Sequence, residues 1–457
     1  MKLTKKVLGV VVTALIGATA FAQRISIAQG PFNYYEAGNI ISNTRKSTFG
    51  LYYTDVDNFM SVTRWNTVKP ETFFGHIGYE DELNVGFAKQ FKDFYIGTSF
   101  VGQLDGLTST TTNNDGDKTT TTETSVENAF TAAALFGFGN MAFKATAAWN
   151  NADITNTKNV DGDVIKNEIF NLNINLENGF VTKLDDKPLE MSFFLGLDSS
   201  VNKTVNETAD SKTDNSTYTI NVGSSALWTF DTKEKYTQEG LLHLYTSWAI
   251  PSYSQDIGGV KSKGFGMYNN SIALIPEYRI TLNPTERLSM KAGATLPFTF
   301  DFEGDFDYSE TDGDKVYNNL RTENVDVEIQ PMISLGMIYQ VLPEKVNFNM
   351  GIEFATPSLT WETVTTKTRT DVTSKDVDAT STSTVYNYND YIAGVNFGSG
   401  FTVQLAKTVT FDCYWNILSN IFGDDFKSGL NEGNNNFCNT VNKIFVHNIG
   451  FSISAKF

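Results

Sequence analysis

Residues 443–457 read Lys-Ile-Phe-Val-His-Asn-Ile-Gly-Phe-Ser-Ile-Ser-Ala-Lys-Phe. Counted back from the carboxyl end, Phe457, Ala455, Ile453, Phe451, Ile449 and Phe445 are apolar at every second position, interrupted by His447. The intervening set, Lys456, Ser454, Ser452, Gly450, Asn448 and Val446, is polar or small apart from the valine. A period of two places the two sets on opposite faces of a β-strand. One face suits an apolar medium and the other does not.

At the other end Lys2, Lys5 and Lys6 precede a mostly apolar run, Val7 to Thr19, and Ala20-Phe21-Ala22 is a small-x-small site before Gln23. That is the pattern of a secretory signal peptide cleaved after Ala22, since the run is too short to span a bilayer. No Cys follows it, which excludes a lipoprotein anchor, and no later run approaches 18 apolar residues. The chain has 40% apolar residues, 35 Phe, 19 Tyr and a formal charge of −17. Losing the three lysines takes that charge from −17 to −20. Such acidity argues against nucleic acid as a partner.

The alternation recurs along the chain. Phe170, Leu172, Ile174 and Leu176 alternate with Asn171, Asn173, Asn175 and Glu177. Similar rows run through Leu189–Leu197, Val325–Val341, Val346–Phe354 and Tyr391–Leu405, with the row from Val325 the longest. Their polar sides are too hydrophilic for a packed interior. Short connections, at Phe91-Lys92-Asp93, Gly139-Asn140, Asp185-Asp186-Lys187, Thr232-Lys233-Glu234, Asn283-Pro284-Thr285-Glu286, Pro343-Glu344-Lys345 and Ala406-Lys407, take turns with long ones. The long ones, roughly 105–128, 151–166, 203–216, 251–265, 303–323, 362–384 and 419–442, are rich in Thr, Asn, Asp, Ser and Gly. Short turns at one end and long loops at the other mark a transmembrane barrel, whereas a β-sandwich has no reason to keep that parity. The expectation is an all-β, antiparallel, up-and-down barrel of about 16 strands, with 14 to 18 tolerable. It divides as a signal peptide (1–22), a periplasmic or lumenal segment (23–47) and the barrel (48–457).

A terminal strand ending on a free aromatic resembles the closing strand of Gram-negative outer-membrane β-barrels. The resemblance implies the outer membrane as location, short turns on the periplasmic side, long loops outside, and Phe457 as part of the signal read by the assembly machinery. No subfamily is singled out. Long-chain fatty-acid transporters have similar size, but their Asn-Pro-Ala hatch motif is missing, Asn-Pro occurring only at Asn283-Pro284. A TonB-dependent receptor is disfavoured because the chain leaves no room for a plug domain of the usual size.

If the apolar rows face lipid, the alternate rows face the lumen. That nominates Glu177, Glu190, Asp198, Glu239, Glu277, Asp301, Asp326, Glu328, Glu353 and Asp412 as acidic lining residues, against Lys144, Arg279, Lys291 and Lys456. Charges cannot sit unpaired in a dry core, so such a lumen is either wet or closed by ion pairs. Asp-Gly-Asp at 115–117, 161–163 and 312–314 is first of all a turn former, with a hard-cation site as the lesser reading because the spacing is not that of an EF-hand. The metal question therefore stays open, and no cofactor is expected. His243 and Ser247 share a face but lie about 13 Å apart along a strand, so a hydrolytic pair is not expected. Aromatics near strand ends, among them Phe94, Trp149, Trp228 and Tyr236, suit interfacial girdles. Phe194, Tyr245 and Tyr414 fall on the lumen face. Cys413 and Cys438 permit one disulfide in an exported protein, yet a symmetric hairpin sets Cys413 opposite roughly Asn448. The functional expectation is a non-enzymatic channel passing small hydrophilic solutes or ions with a preference for cations. A surface adhesin and a hydrophobic-substrate channel are the alternatives.

Overall fold

The computed structural model describes residues 51–52, 62, 71–77, 82–92, 94–103, 108–115, 118–158, 164–206, 211–233, 235–257, 260–264, 268–304, 308–311, 314–317, 320–355, 359–388, 395–417 and 449–456. The strands in chain order begin with β1 (Thr72–Ile77), β2 (Glu82–Phe91), β3 (Phe94–Gln103), β4 (Thr108–Asp115), β5 (Lys118–Phe138) and β6 (Met141–Lys158). There follow β7 (Val164–Leu184), β8 (Lys187–Asn206), β9 (Ser211–Lys233), β10 (Tyr236–Ile257), β11 (Val260–Gly264) and β12 (Tyr268–Thr285). Next come β13 (Leu288–Thr295), β14 (Phe298–Gly304), β15 (Tyr308–Thr311), β16 (Asp314–Tyr317), β17 (Leu320–Ile329) and β18 (Met332–Leu342). The last are β19 (Val346–Ala355), β20 (Leu359–Thr368), β21 (Ala379–Tyr388), β22 (Val395–Ala406), β23 (Val409–Ile417) and β24 (Ile449–Lys456).

All pairings are antiparallel and belong to one sheet. β24 pairs with β23 on one side and β1 on the other, so the ladder returns to its start. The described residues thus form twenty-four segments, and the expectation of about 16 strands is corrected. The physical cause is interruption. β12 pairs with β13 along one half and with β14 along the other, the break falling at Leu296-Pro297. The row from Val325 to Val341, read from the sequence as unbroken, divides at Gln330-Pro331 into β17 and β18. Proline has no N–H to give to a ladder, and these breaks lie side by side on neighbouring strands.

The expectation of irregular outer loops also needs correction. β5, β7, β9 and β10 have 21, 21, 23 and 22 residues, about twice the 9–11 needed to cross a bilayer. Segments such as 203–206 and 211–216 continue as paired strands, where Thr204 opposite Thr213 and Lys203 opposite Asp214 support the pairing. Asp115 pairs with Lys118 and Thr311 with Asp314, while the rest of those two Asp-Gly-Asp motifs and the whole of the one at 161–163 lie outside the described residues. At the opposite end Asp185 and Asp186 both take positive φ, 50° and 61°, in the two-residue turn joining β7 to β8. That geometry matches the right-handed twist of the flanking strands.

The first described strand begins at Thr72, and the boundary expected at residue 48 lies outside the described residues. Leu51 and Tyr52 lie outside any strand, and Tyr52 donates its hydroxyl to Ser289 Oγ (3.0 Å) on β13. Cys413 pairs in register with Phe451, three residues from the expected Asn448, and is a free thiol buried on the outer row. A symmetric-hairpin estimate fails where the connection is as long as 418–448. Cys438 and Phe457 lie outside the described residues.

Candidate functional site, the inward polar wall

Burial follows the period of two. On β8, Phe193, Leu195 and Leu197 are exposed while Phe194 is buried, and on β6 exposed Phe143 flanks buried Lys144. Exposed Phe, Leu, Ile and Val recur on the outer row of nearly every strand, a belt far larger than water tolerates on a soluble protein. Near the short turns the outer row is aromatic, with Phe91 and Phe94 stacked at 5.4 Å, Phe94 6.0 Å from Phe136, and Phe138 6.1 Å from Phe143. These rings form an interfacial girdle.

The inward row carries every nominated charged residue whose side chain is described. Glu177, Glu190, Arg279, Glu353, Asp412 and Lys144 are buried there, while Asp198, Glu239, Glu277, Lys291, Asp301, Asp326 and Glu328 are half-buried. Most of them fall into three groups. Toward the short turns, cations and carboxylates are paired: Lys144 Nζ lies 3.2 Å from Glu177 Oε1, and Lys291 Nζ lies 2.7 Å from Glu239 Oε2. Arg279 holds Glu277 with both Nε and Nη2, the latter at 3.2 Å. Leu51 is 1% exposed, and its Cδ2 lies 3.1 Å from where a Cβ on inward Gly293 would stand, as does Glu277 Oε1. A piece of the chain ahead of β1 therefore lies against the inner wall. The expectation that ion pairs and a wet lumen are alternatives is too simple, since the pairs hold one region and leave another unpaired.

The second group is an amide network around Asp198 on β7 to β10. Asn173 and Asn221 donate to the two oxygens of Asp198, the latter at 2.6 Å, Asn175 donates to Asn173, and Tyr245 OH donates to Asn221 Oδ1 at 2.6 Å. Sequence reading nominated only the charged member, although the asparagines stand in the same alternating row. Phe194, Tyr245 and Tyr414, expected inside, are all buried on this face. His243 is 1% exposed on the same row, while the Ser247 hydroxyl has no hydrogen-bond partner, so no Ser–His pair forms.

The third group lies toward the long loops. Asp301 on β14, Asp326 on β17 and Glu362 on β20 are successive ladder partners on one face. Glu328 pairs with Thr299 and Thr360 one step nearer the short turns. Among the described residues no lysine or arginine forms an ion pair with any of these four. Asn324 donates to Asp326 Oδ2 (3.1 Å) and Glu362 Oε1 (3.3 Å). Glu362 was expected in a loop. It escaped sequence reading because β19 and β20 together carry one residue more than β17 and β18 across the break, which reverses which positions face inward. No group of three His, Cys, Asp or Glu among the described residues is close enough to hold a bare metal ion.

No family model matches the chain, and no curated protein matches it. Similar solved structures include the ferric yersiniabactin uptake receptor FyuA of Yersinia pestis, at 8% identity over 84% of this chain and 79% of that one, with a TM-score of 0.34. The alcaligin outer-membrane receptor FauA of Bordetella pertussis is 12% identical over 84% of this chain and 75% of that one, with a TM-score of 0.29. The copper transporter OprC is 8% identical over 84% and 80%, with a TM-score of 0.33. Nothing of their cargo transfers to this chain at such values. What the residues build is an antiparallel sheet returning on itself, apolar and girdled outside and charged within. This is the architecture of Gram-negative outer-membrane β-barrel proteins, and the outer membrane is its place.

Proposed function

We propose that the chain is an outer-membrane channel for passive movement of small hydrophilic solutes or ions, preferring cations. On this proposal the twenty-four segments belong to a smaller, even number of longer staves, as bacterial barrels require. In this reading residues 1–22 are a cleaved signal peptide, Phe457 contributes to recognition by the assembly machinery, and the nominated charged residues line the lumen. The supporting observation is the acidic stretch formed by Asp301, Asp326, Glu328 and Glu362, none of which forms an ion pair with a lysine or arginine among the described residues. Rings of carboxylates raise the local concentration of cations.

A planar-bilayer recording on refolded protein tests this. The unmutated channel should show a cation-selective reversal potential in a salt gradient. Asp326→Lys with Glu362→Lys should move it toward anion selectivity. The shift should shrink at 1 M salt, where the Debye length is about 3 Å. Absence of current, or anion preference before mutation, overturns the reading. The adhesin alternative draws on the polar hairpins that extend the barrel beyond a bilayer's thickness, and it would then lead.

A further inference from the structure

We infer that the inward row through Ser247, Ser271, Asp301, Asp326 and Glu362 is a binding site for one hydrated divalent cation. The inference rests on the channel reading only for its biological use, not for its chemistry. The five residues are consecutive ladder partners on β10, β12, β14, β17 and β20, so their side chains share one face at interstrand spacing.

Two observations made independently meet there. The first is three adjacent carboxylates without an ion-pair partner among the described residues, which demand a counter-ion from solution. The second is the pair of hydroxyls that ends the row. Ser271 is 4% exposed and Ser247 1% exposed, and neither hydroxyl oxygen has a hydrogen-bond partner among the described residues. Ser271 is the ladder partner of Asp301, so it adjoins the acidic end of the row on the same face. A buried hydroxyl is normally satisfied, and an unsatisfied one beside carboxylates fits a site completed by water or an ion.

The same geometry sets the class of ligand. The carboxylates do not converge as a bare-metal site requires, so direct chelation of a transition metal is not expected. A hydrated hard cation instead keeps its inner waters and gives their hydrogens to carboxylate and hydroxyl oxygens, as Mg²⁺ commonly does. Divalent charge is favoured over monovalent because three negative groups share one row.

The test is calorimetric titration of calcium chloride and, separately, magnesium chloride into the full refolded barrel in detergent with 100 mM sodium chloride. Heat-modifiability on gels verifies folding of each variant. One saturable site is expected, weakened at least tenfold by Asp326→Asn with Glu362→Gln and two- to fivefold by Ser271→Ala. Glu190→Gln, on the same face but outside the row, should leave it unchanged. No saturable binding, or equal loss in the Glu190 variant, overturns the site. Binding does not require current. A barrel that binds calcium in this pattern yet conducts nothing overturns the channel reading and leaves the site standing, and a conducting barrel that binds none does the reverse.

Discussion

Lys144 on β6 and Glu177 on β7 are ladder partners, and their charged atoms meet at 3.2 Å with side chains 0% and 7% exposed. Each ion leaves water only because the other receives it. Lys144→Met strands a buried carboxylate and should cost roughly 3–5 kcal/mol, whereas Lys144→Met with Glu177→Leu should recover most of the loss. Urea refolding titrations of the three proteins decide this. A double variant as unstable as the single one would mean that the pair's partners, not its charges, matter.

Gly196 on β8 leaves no room for a side chain. A Cβ there would stand 2.5 Å from Asn175 Oδ1, 2.7 Å from Phe194 Cζ and 3.3 Å from Asn221 Cβ. Gly196→Ala should therefore cost about 1–3 kcal/mol through overpacking, while Gly75→Ala, with nothing within 4 Å, should be neutral. Equal stabilities in a denaturant titration would refute the packing of the amide network.

Leu335 is 44% exposed on the outer row of β18. Leu335→Arg should cost roughly 2–4 kcal/mol in lipid, and Thr382→Arg, on an exposed hairpin strand beyond the belt, should stay within about 0.5 kcal/mol. Refolding into vesicles separates the two. Ser334→Arg is not the innocuous control that its lumen-facing position suggests, because Ser334 is 6% exposed and its hydroxyl faces Glu353 Oε2 at 3.5 Å.

The tip between β20 and β21 should loosen in acid. Thr370 donates its hydroxyl to Asp378 Oδ2 at 2.6 Å, and Thr373 donates its hydroxyl and N–H to Asp371 Oδ1 at 2.6 and 2.9 Å. Those bonds hold both carboxyls below the ordinary range. A lowered folded pKa gives stability that is present above the unfolded value, about 3.9, and lost as pH falls through the folded one. Proteolysis or hydrogen exchange at 369–378 should rise below pH 4, and Asp378→Asn should remove much of that dependence.

Leu51 and Glu277 flank Gly293 on the inner wall. Leu51→Glu sets a second carboxylate beside Glu277 in a poorly hydrated place, which should displace the segment ahead of β1. If the channel reading holds, single-channel conductance should rise. An unchanged conductance would mean that this segment does not narrow the passage.

Alternation along each strand was legible residue by residue because side-chain direction in extended backbone depends only on local geometry. It sets Glu177, Arg279 and Asp412 on one face and Leu335 and Phe451 on the other, and the burial of the first three and exposure of the last two follow the same alternation. The same signal could not separate strands from outer loops where both faces meet water, as at 203–216, since polar residues then carry no period.

What the sequence determined by itself is the all-β class and the alternation that makes two faces, both consequences of period and turn chemistry. Tertiary structure alone decided the rest. Pairing across strands joined Asp326 to Glu362, an extra residue near 356–358 turned Glu362 inward, and prolines at 297 and 331 divided strands that read as whole. Which cations are paired and which carboxylates stay unpaired depends on the register between distant segments. That register is fixed by the sum of the ladders around the sheet, which no single stretch of chain contains.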